Sequence, residues 1–249
     1  MSHPWYETYF GADYLSIYRL ADTAAQLAML ERLLAPYAGG RILDLPCGHG
    51  RHSVPLAQRG FQMVGLDLSP VFLDVARGAA RQAHLPPRFA RADMRVMPIA
   101  DASCDAAICM FTSLGYFDSD AQHRGVLCEF SRVVKPGGGL VLDLANIDAV
   151  RRQPPTSHWT KDGVEVHSRY SFDEASRRAT TYRQVTFADG RTAEYDSSVR
   201  LFEAAEIEPM LHTSGWAIIE QQGSYAGGPV VPEQPRRILV CRRQRQELL

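Results

Sequence analysis

Apolar positions recur with two different periods along this chain, and the change of period divides it. Between residues 14 and 34 the spacing is helical: Tyr14, Ile17 and Tyr18 are followed by Ala24, Leu27, Ala28, Leu30, Leu33 and Leu34. Pro36 and Gly39-Gly40 close that segment. From residue 41 short apolar runs alternate with helical stretches. Strands are predicted at 41–45, 62–67, 88–92, 106–111 and 140–144, with helices at 52–59, 70–82 and 120–134. Ser69-Pro70 offers the second of these helices an N-cap and a first-turn proline. Lys135-Pro136-Gly137-Gly138-Gly139 is expected to stop the third. Strands alternating with helices imply a parallel, doubly wound sheet.

The texture changes after Arg151. Residues 164–202 lack a helical period and break at 173–176 and 188–190, which predicts a three-stranded antiparallel meander. A helix returns from Glu203 to Thr213 despite Pro209. Strands at 216–222 and 236–242, joined by a Gly/Pro-rich loop, then complete the sheet. The expected division is a helical cap over 1–40, a core over 41–150, an insertion or lid over 151–202, and completion of the core sheet over 203–249. The expected fold class is α/β, with a mostly parallel seven-stranded sheet and a small antiparallel insertion.

Composition narrows the function classes. The 249 residues are 45% apolar, enough for one large α/β domain with an elaboration. Net charge is −1, and residues 151–202 hold nine basic against seven acidic side chains, so nucleic acid is not an expected partner. The five cysteines include no CxxC pair, so Cys47 and Cys109 are expected to be small packing residues. No leader pattern or membrane-length apolar run is present, and the expected location is cytoplasmic. No histidine and acid share metal-ligand spacing along the chain, so no metal is expected.

The chemistry concentrates at three strand ends. Arg41–Gly50 reads RILDLPCGHG, a buried strand that breaks into a turn holding Gly48 and Gly50, with a helix beginning beyond. Such a turn lets a ligand approach backbone N–H groups. The second strand ends at Asp67, whose carboxylate can accept from both hydroxyls of a ribose. The third ends at Asp93-Met94, an acceptor for an adenine amino group beside a soft apolar face. Asp44, Asp67 and Asp93 at consecutive strand tips favour a nucleoside site over three helix caps.

The order LDLPCGHGRH, VGLDLSP, RADMRVMP, AICMFTSLGYFD and RVVKPGGGLVLDL resembles a class I S-adenosylmethionine-dependent methyltransferase. The likeness is strongest to the bacterial small-molecule branch with a β insertion after strand five, and it spans Trp5 to Cys241. It implies S-adenosyl-L-methionine as cofactor, held by Tyr14, Asp44, Pro46, Gly48, Gly50, Asp67, Leu68, Asp93, Met94 and Phe111. Pro46 stands where the family usually has its first motif glycine, removing one N–H donor.

Methyl transfer from a sulfonium is an in-line displacement, so the protein chiefly aligns the partners and excludes water. The candidate acceptor-side residues are Tyr116, Asn146, Tyr170, Arg183 and Tyr195, with Arg200 and Tyr225 as further lid residues. The expected function is methyl transfer to a small molecule, with nitrogen slightly preferred over oxygen or carbon as acceptor. The preference rests on the resemblance to sugar-amine and amino-acid-type members. The alternative is an enzyme that uses another sulfonium carbon, by alkyl transfer or by cyclisation that releases methylthioadenosine. A nicotinamide dehydrogenase is disfavoured by the lack of GxGxxG, and a non-catalytic binding module by the intact set of acids. The expected assembly is a monomer or homodimer.

Overall fold

The computed structural model describes residues 9–17, 22–86 and 88–245. Trp5, Tyr6 and Tyr18 lie outside these. The strands are β1 (Arg41–Asp44), β2 (Gln62–Asp67), β3 (Phe89–Arg91), β4 (Cys104–Cys109), β5 (Val134–Ala145), β6 (Thr156–Lys161), β7 (Val164–Asp173), β8 (Arg178–Thr186), β9 (Thr192–Arg200), β10 (Trp216–Gln222) and β11 (Arg236–Arg243). One seven-stranded sheet has the order β10-β11-β5-β4-β1-β2-β3, and a separate four-stranded sheet has the order β6-β7-β8-β9. In the large sheet β3, β2, β1, β4 and β5 run parallel, while β11 pairs antiparallel with both β5 and β10. This is the doubly wound, mostly parallel arrangement that the alternation predicts.

Helices cover both faces because each carries one apolar stripe. The helix Asp120–Val133 buries Val126, Leu127, Phe130 and Val133 against the sheet, and the Ser119 hydroxyl caps it by accepting from the Gln122 N–H. Each such side chain contributes roughly 1.5–3 kcal/mol by leaving water. Ser69 caps the helix Pro70–Gln82 as its sequence predicts, accepting from the Phe72 N–H. The helix Ala204–Thr213 tolerates Pro209 near its end, and a capping box formed by Glu203 and Glu206 fixes its start. His123, on the helix Asp120–Val133, is buried. It lies 3.1 Å from the Phe117 carbonyl and packs edge-on against Phe202.

Three boundaries differ from the sequence reading. The Lys135–Gly139 stretch does not end a helix. It belongs to β5, where the pairing with β4 shifts register. A Cβ at Gly138 would lie 2.5 Å from the Asp105 carbonyl oxygen and one at Gly139 would lie 2.6 Å from the Tyr37 hydroxyl, so these glycines permit close approach of chains. Strand β4 runs two residues earlier than expected, because Phe111 and Thr112 turn to positive φ, 61° and 60°. The insertion has four strands where three are expected. The additional one, β6, reads TSHWTK, too polar and too exposed to show a buried face in sequence.

Candidate functional site

The carboxyl ends of β1 to β4 open into a cavity of about 380 Å³. Its floor is set by hydrogen bonds between strand tips. After β1 the Leu45–Pro46 peptide is cis, the Cys47 N–H donates to the Leu66 carbonyl at 2.8 Å, and Gly48 takes φ 56°. Gly48 N–H then points at Asp67, donating to Oδ2 at 2.7 Å, while Ser69 N–H donates to Oδ1 at 2.8 Å. Burial raises the Asp67 pKa, against the pull of these N–H groups. Each carboxylate oxygen retains acceptor capacity toward the cavity.

Asp44 lies beneath this floor and is fully buried. Its Oδ2 accepts from the Ser53 hydroxyl at 2.6 Å, and its Oδ1 has no partner. Desolvation pushes its pKa up to about 7 despite the Ser53 hydrogen bond and the positive charge of Arg51. Gly50 is also off the cavity. A Cβ there would sit 3.0 Å from that of Ala76, so Gly50 lets the turn press on the helix Pro70–Gln82. The other residues expected to hold a cofactor (Tyr14, Pro46, Gly48, Asp67, Leu68, Asp93, Met94 and Phe111) all line the cavity.

Asp93, expected to accept from an adenine amino group, already meets Arg95. Arg95 grips it, with Nε 3.0 and 3.1 Å from the two oxygens and Nη2 2.6 Å from Oδ2. Burial opposes ionisation, yet the Arg95 hydrogen bonds prevail and lower the Asp93 pKa. Cys47 and Cys109 are buried thiols whose pKa burial raises, which fits packing and not nucleophilic duty.

A second cavity, about 620 Å³, lies between the ends of β4 and β5 and the insertion sheet. Phe10, Tyr14, Phe111 and Tyr116 line both cavities and mark where the two meet, called the passage below. Alternate residues of the insertion form one wall: Tyr170 and Phe172 of β7, Ala179, Thr181 and Arg183 of β8, and Ser197 and Val199 of β9. The pairings Tyr170↔Thr181 and Phe172↔Ala179 put these on one face. Tyr182, of opposite parity, turns outward and lies under the Arg169 guanidinium.

Of the acceptor-side candidates, Tyr116, Tyr170 and Arg183 line this cavity. Asn146 does not. It is buried, and its amide donates to the Val231 and Gln234 carbonyls while its Oδ1 caps the helix Ile147–Arg151. Tyr195 is also absent from the lining. Its hydroxyl donates to Asp13 at 2.8 Å, fastening the N-terminal segment to the insertion. Arg200 is engaged by Glu206, and the Tyr225 hydroxyl donates to Asp143 at 3.1 Å.

Asp143 and Arg236 are the site residues that sequence reading missed. Asp143, fully buried on β5, accepts from Arg236 Nε at 2.6 Å and from the Phe111 N–H at 3.0 Å. Its own carbonyl accepts from the Thr112 N–H at 2.8 Å. These bonds hold the two positive-φ residues at the passage. The signal was present: LDL occurs three times, around Asp44, Asp67 and Asp143, each time an acid at or inside an apolar run. Arg51 was passed over as well. Its guanidinium lies 4.2 Å over the Phe111 ring and donates to Gln26 Oε1 at 2.5 Å.

Residues 42–138 match the family model described as a methyltransferase domain. The chain is 32% identical over 167 residues to a glycine/sarcosine N-methyltransferase of Parasynechococcus marenigrum, covering 64% of this chain and 57% of that protein. Among solved structures it is similar to an S-adenosylmethionine-dependent methyltransferase of Clostridium acetobutylicum, with a TM-score of 0.81, 18% identity, and 94% and 96% of the two chains covered. It is similar also to the sugar N-methyltransferase KedS8 of a Streptoalloteichus species, with a TM-score of 0.72, 22% identity, and 94% and 93% covered. No helix among the described residues is long and apolar enough to cross a membrane.

Proposed function

We propose that this chain, an S-adenosylmethionine-dependent methyltransferase, methylates a nitrogen of a small molecule held in the cavity beneath the insertion. The cofactor supplies an electrophilic methyl on its sulfonium. The first cavity fits such a group: Asp67 offers carboxylate lone pairs to ribose hydroxyls, Met94 an apolar face to the base, and the turn at Pro46–Gly48 a backbone approach. The buried Asp44 Oδ1, without a partner, leaves an acceptor beneath that turn.

The observation that carries the nitrogen reading is the second cavity's lining. Its one carboxylate, Glu174, is bound through both oxygens to Arg151 at 2.8 and 2.9 Å, and no histidine faces in among the described residues. A neutral amine needs no dedicated base, whereas a phenol or carbon acid does. Tyr14, Phe10, Phe111 and Tyr116 restrict the approach at the passage and exclude water, so alignment supplies the rate. The N-methyltransferases among the similar proteins support the same reading. The cavity is closed by an insertion with near-balanced charge, which favours a small molecule over a nucleic acid.

Incubation with methyl-labelled S-adenosylmethionine and a metabolite fraction tests this reading. The expected result is a product one methyl heavier, labelled on nitrogen, with S-adenosylhomocysteine released. Methylthioadenosine in its place means that another sulfonium carbon reacts.

A further inference from the structure

The insertion sheet has two unlike faces. One carries Val166, Ser168 and Val185, buried toward the body of the protein. The other is polar and exposed, and on it three potential ligands converge. His158 of β6 stands directly across from His167 of β7, and Glu165 sits two residues along β7 on the same face. Glu165 Oε1 lies 2.9 Å from His158 Nε2 and 3.0 Å from His167 Nε2. The two imidazoles stack at 4.2 Å with planes 19° apart, and the three ligand atoms all lie within 4.8 Å of one another. Packing does not account for this arrangement. The β8 partners on this face, Gln184 and Thr186, are themselves exposed and polar, and all three converging side chains are about half exposed.

We propose that His158, Glu165 and His167 form a surface site for one divalent transition-metal ion of the zinc class, clipping the edge strand β6 to β7. Zinc accepts imidazole nitrogen and carboxylate oxygen at about 2.0–2.2 Å, which places tetrahedral ligand atoms roughly 3.3 Å apart. The two nitrogen–oxygen separations are within a few tenths of that spacing. The two rings close on an ion by side-chain rotation alone, since both are exposed. The donor set of two nitrogens and one oxygen suits zinc, nickel or copper and not magnesium or calcium, which take oxygen. Arg169, the next outward residue of β7, directs its guanidinium over the Tyr182 ring at 4.5 Å. Linear spacing shows only the Glu165–His167 pair of β7, and the hairpin at Asp162-Gly163, where φ is 51° and 75°, brings His158 of β6 into register with it.

Titration of the chelator-stripped full chain with Zn²⁺ at pH 7.5, followed by calorimetry, tests the site. One equivalent is expected to bind with a dissociation constant of about 10 μM or tighter. The double variant His158→Asn/His167→Asn should weaken binding at least about thirtyfold. Zn²⁺ should raise the melting temperature of the parent protein and leave that of the double variant unmoved. Glu165→Gln, which keeps the shape and removes the charge, should weaken binding about fivefold or more even if the double variant fails to fold. Absence of binding at millimolar Zn²⁺, or one-equivalent binding that survives these substitutions, overturns the proposal.

Discussion

The cavity at the tips of β1 to β4 and the cavity beneath the insertion meet at four side chains, yet they are made of different material. The first is shaped by main chain. Its turn is fixed by Cys47 N–H on Leu66 and Gly48 N–H on Asp67, bonds between neighbouring parallel strands. The second is shaped by side chains, rings and a long arginine on alternate residues of three antiparallel strands. A turn built from main chain keeps its shape under most substitutions, the carboxylate of Asp67 that its N–H groups hold being the exception. A wall of alternate side chains can be re-cut residue by residue without disturbing the sheet that carries it. Under the proposed function, the shared chemistry belongs to the first cavity and acceptor choice to the second.

The largest expected effect comes from the residue that serves both. Asp143→Ala strips Arg236 of its buried partner and releases the Phe111 N–H, which lies at the passage. Breaking such a buried pair costs about 3–5 kcal/mol. Urea unfolding should show that loss, and the folded fraction should bind cofactor and acceptor more weakly. Weakening of one ligand alone would mean that the passage is not a common hinge. Next comes Asp67→Ala. Two hydrogen bonds to a carboxylate at roughly 1.5 kcal/mol or more each predict a loss of about 3 kcal/mol, at least a hundredfold in cofactor affinity by calorimetry. Acceptor binding should scarcely move.

The contrast also explains what could be read from sequence. Each strand tip carries its acid or its turn within a few residues, so Gly48, Asp67 and Met94 could be named from sequence, and all three line the first cavity. Asp44 and Gly50 belong to the same motif, but their positions below and behind the cavity depend on how the turn packs on Ala76 and Ser53. Asn146 and Tyr195 were named from their places at a strand end and in the meander, and the structure spends their polar groups on other segments. Strand β6 carried no apolar alternation because it is an exposed edge. What sequence conceals is cross-strand register: it decides which of Tyr182 and Arg183 faces inward, and it joins His158 to His167.

Asp44 gives the backbone-built region a pH signature. Its pKa rises from 3.8 to about 7 on folding. Between those values the folded state holds a proton that the unfolded state has lost, so this group makes stability fall as pH rises, by up to about 1.4 kcal/mol per unit. Above about pH 7 the group is ionised in both states and the penalty is constant. Asp44→Asn should remove that slope, and the difference between the two proteins in urea unfolding from pH 4.5 to 7 measures it. Equal slopes would show that Asp44 is ionised in the fold throughout. On the other side, Arg183 is half-buried in the second cavity, its guanidinium pKa lowered by desolvation and its guanidinium 5.7 Å from the Tyr9 ring. Arg183→Leu should raise the acceptor's KM about tenfold, ~1.4 kcal/mol. Its melting temperature should hold or rise, since a partly desolvated cation is replaced by a shorter apolar side chain.

The smallest effect separates Tyr195 from Tyr170. Tyr170 lines the acceptor cavity, with its hydroxyl 2.9 Å from Ser157 Oγ. Tyr195 sits on the same sheet, but its ring packs edge-on against Tyr9 and its hydroxyl donates to Asp13, which also binds Arg191 through two nitrogens at 2.8 Å. Tyr195 therefore acts on the acceptor only by holding the segment that carries Tyr9, Phe10 and Tyr14. Tyr195→Phe removes one hydrogen bond to a carboxylate that keeps its arginine. The expected cost is about 1 kcal/mol of stability or less, with the acceptor's KM changed less than about twofold, under ~0.5 kcal/mol. Tyr195→Ala removes the ring as well and should loosen the segment, raising the KM for cofactor and acceptor together because Phe10 and Tyr14 line both cavities. If Tyr195→Phe instead lowers kcat tenfold or more with stability intact, the hydroxyl takes part in proton transfer, and the cavity lining without a free base is not the whole of the acceptor site.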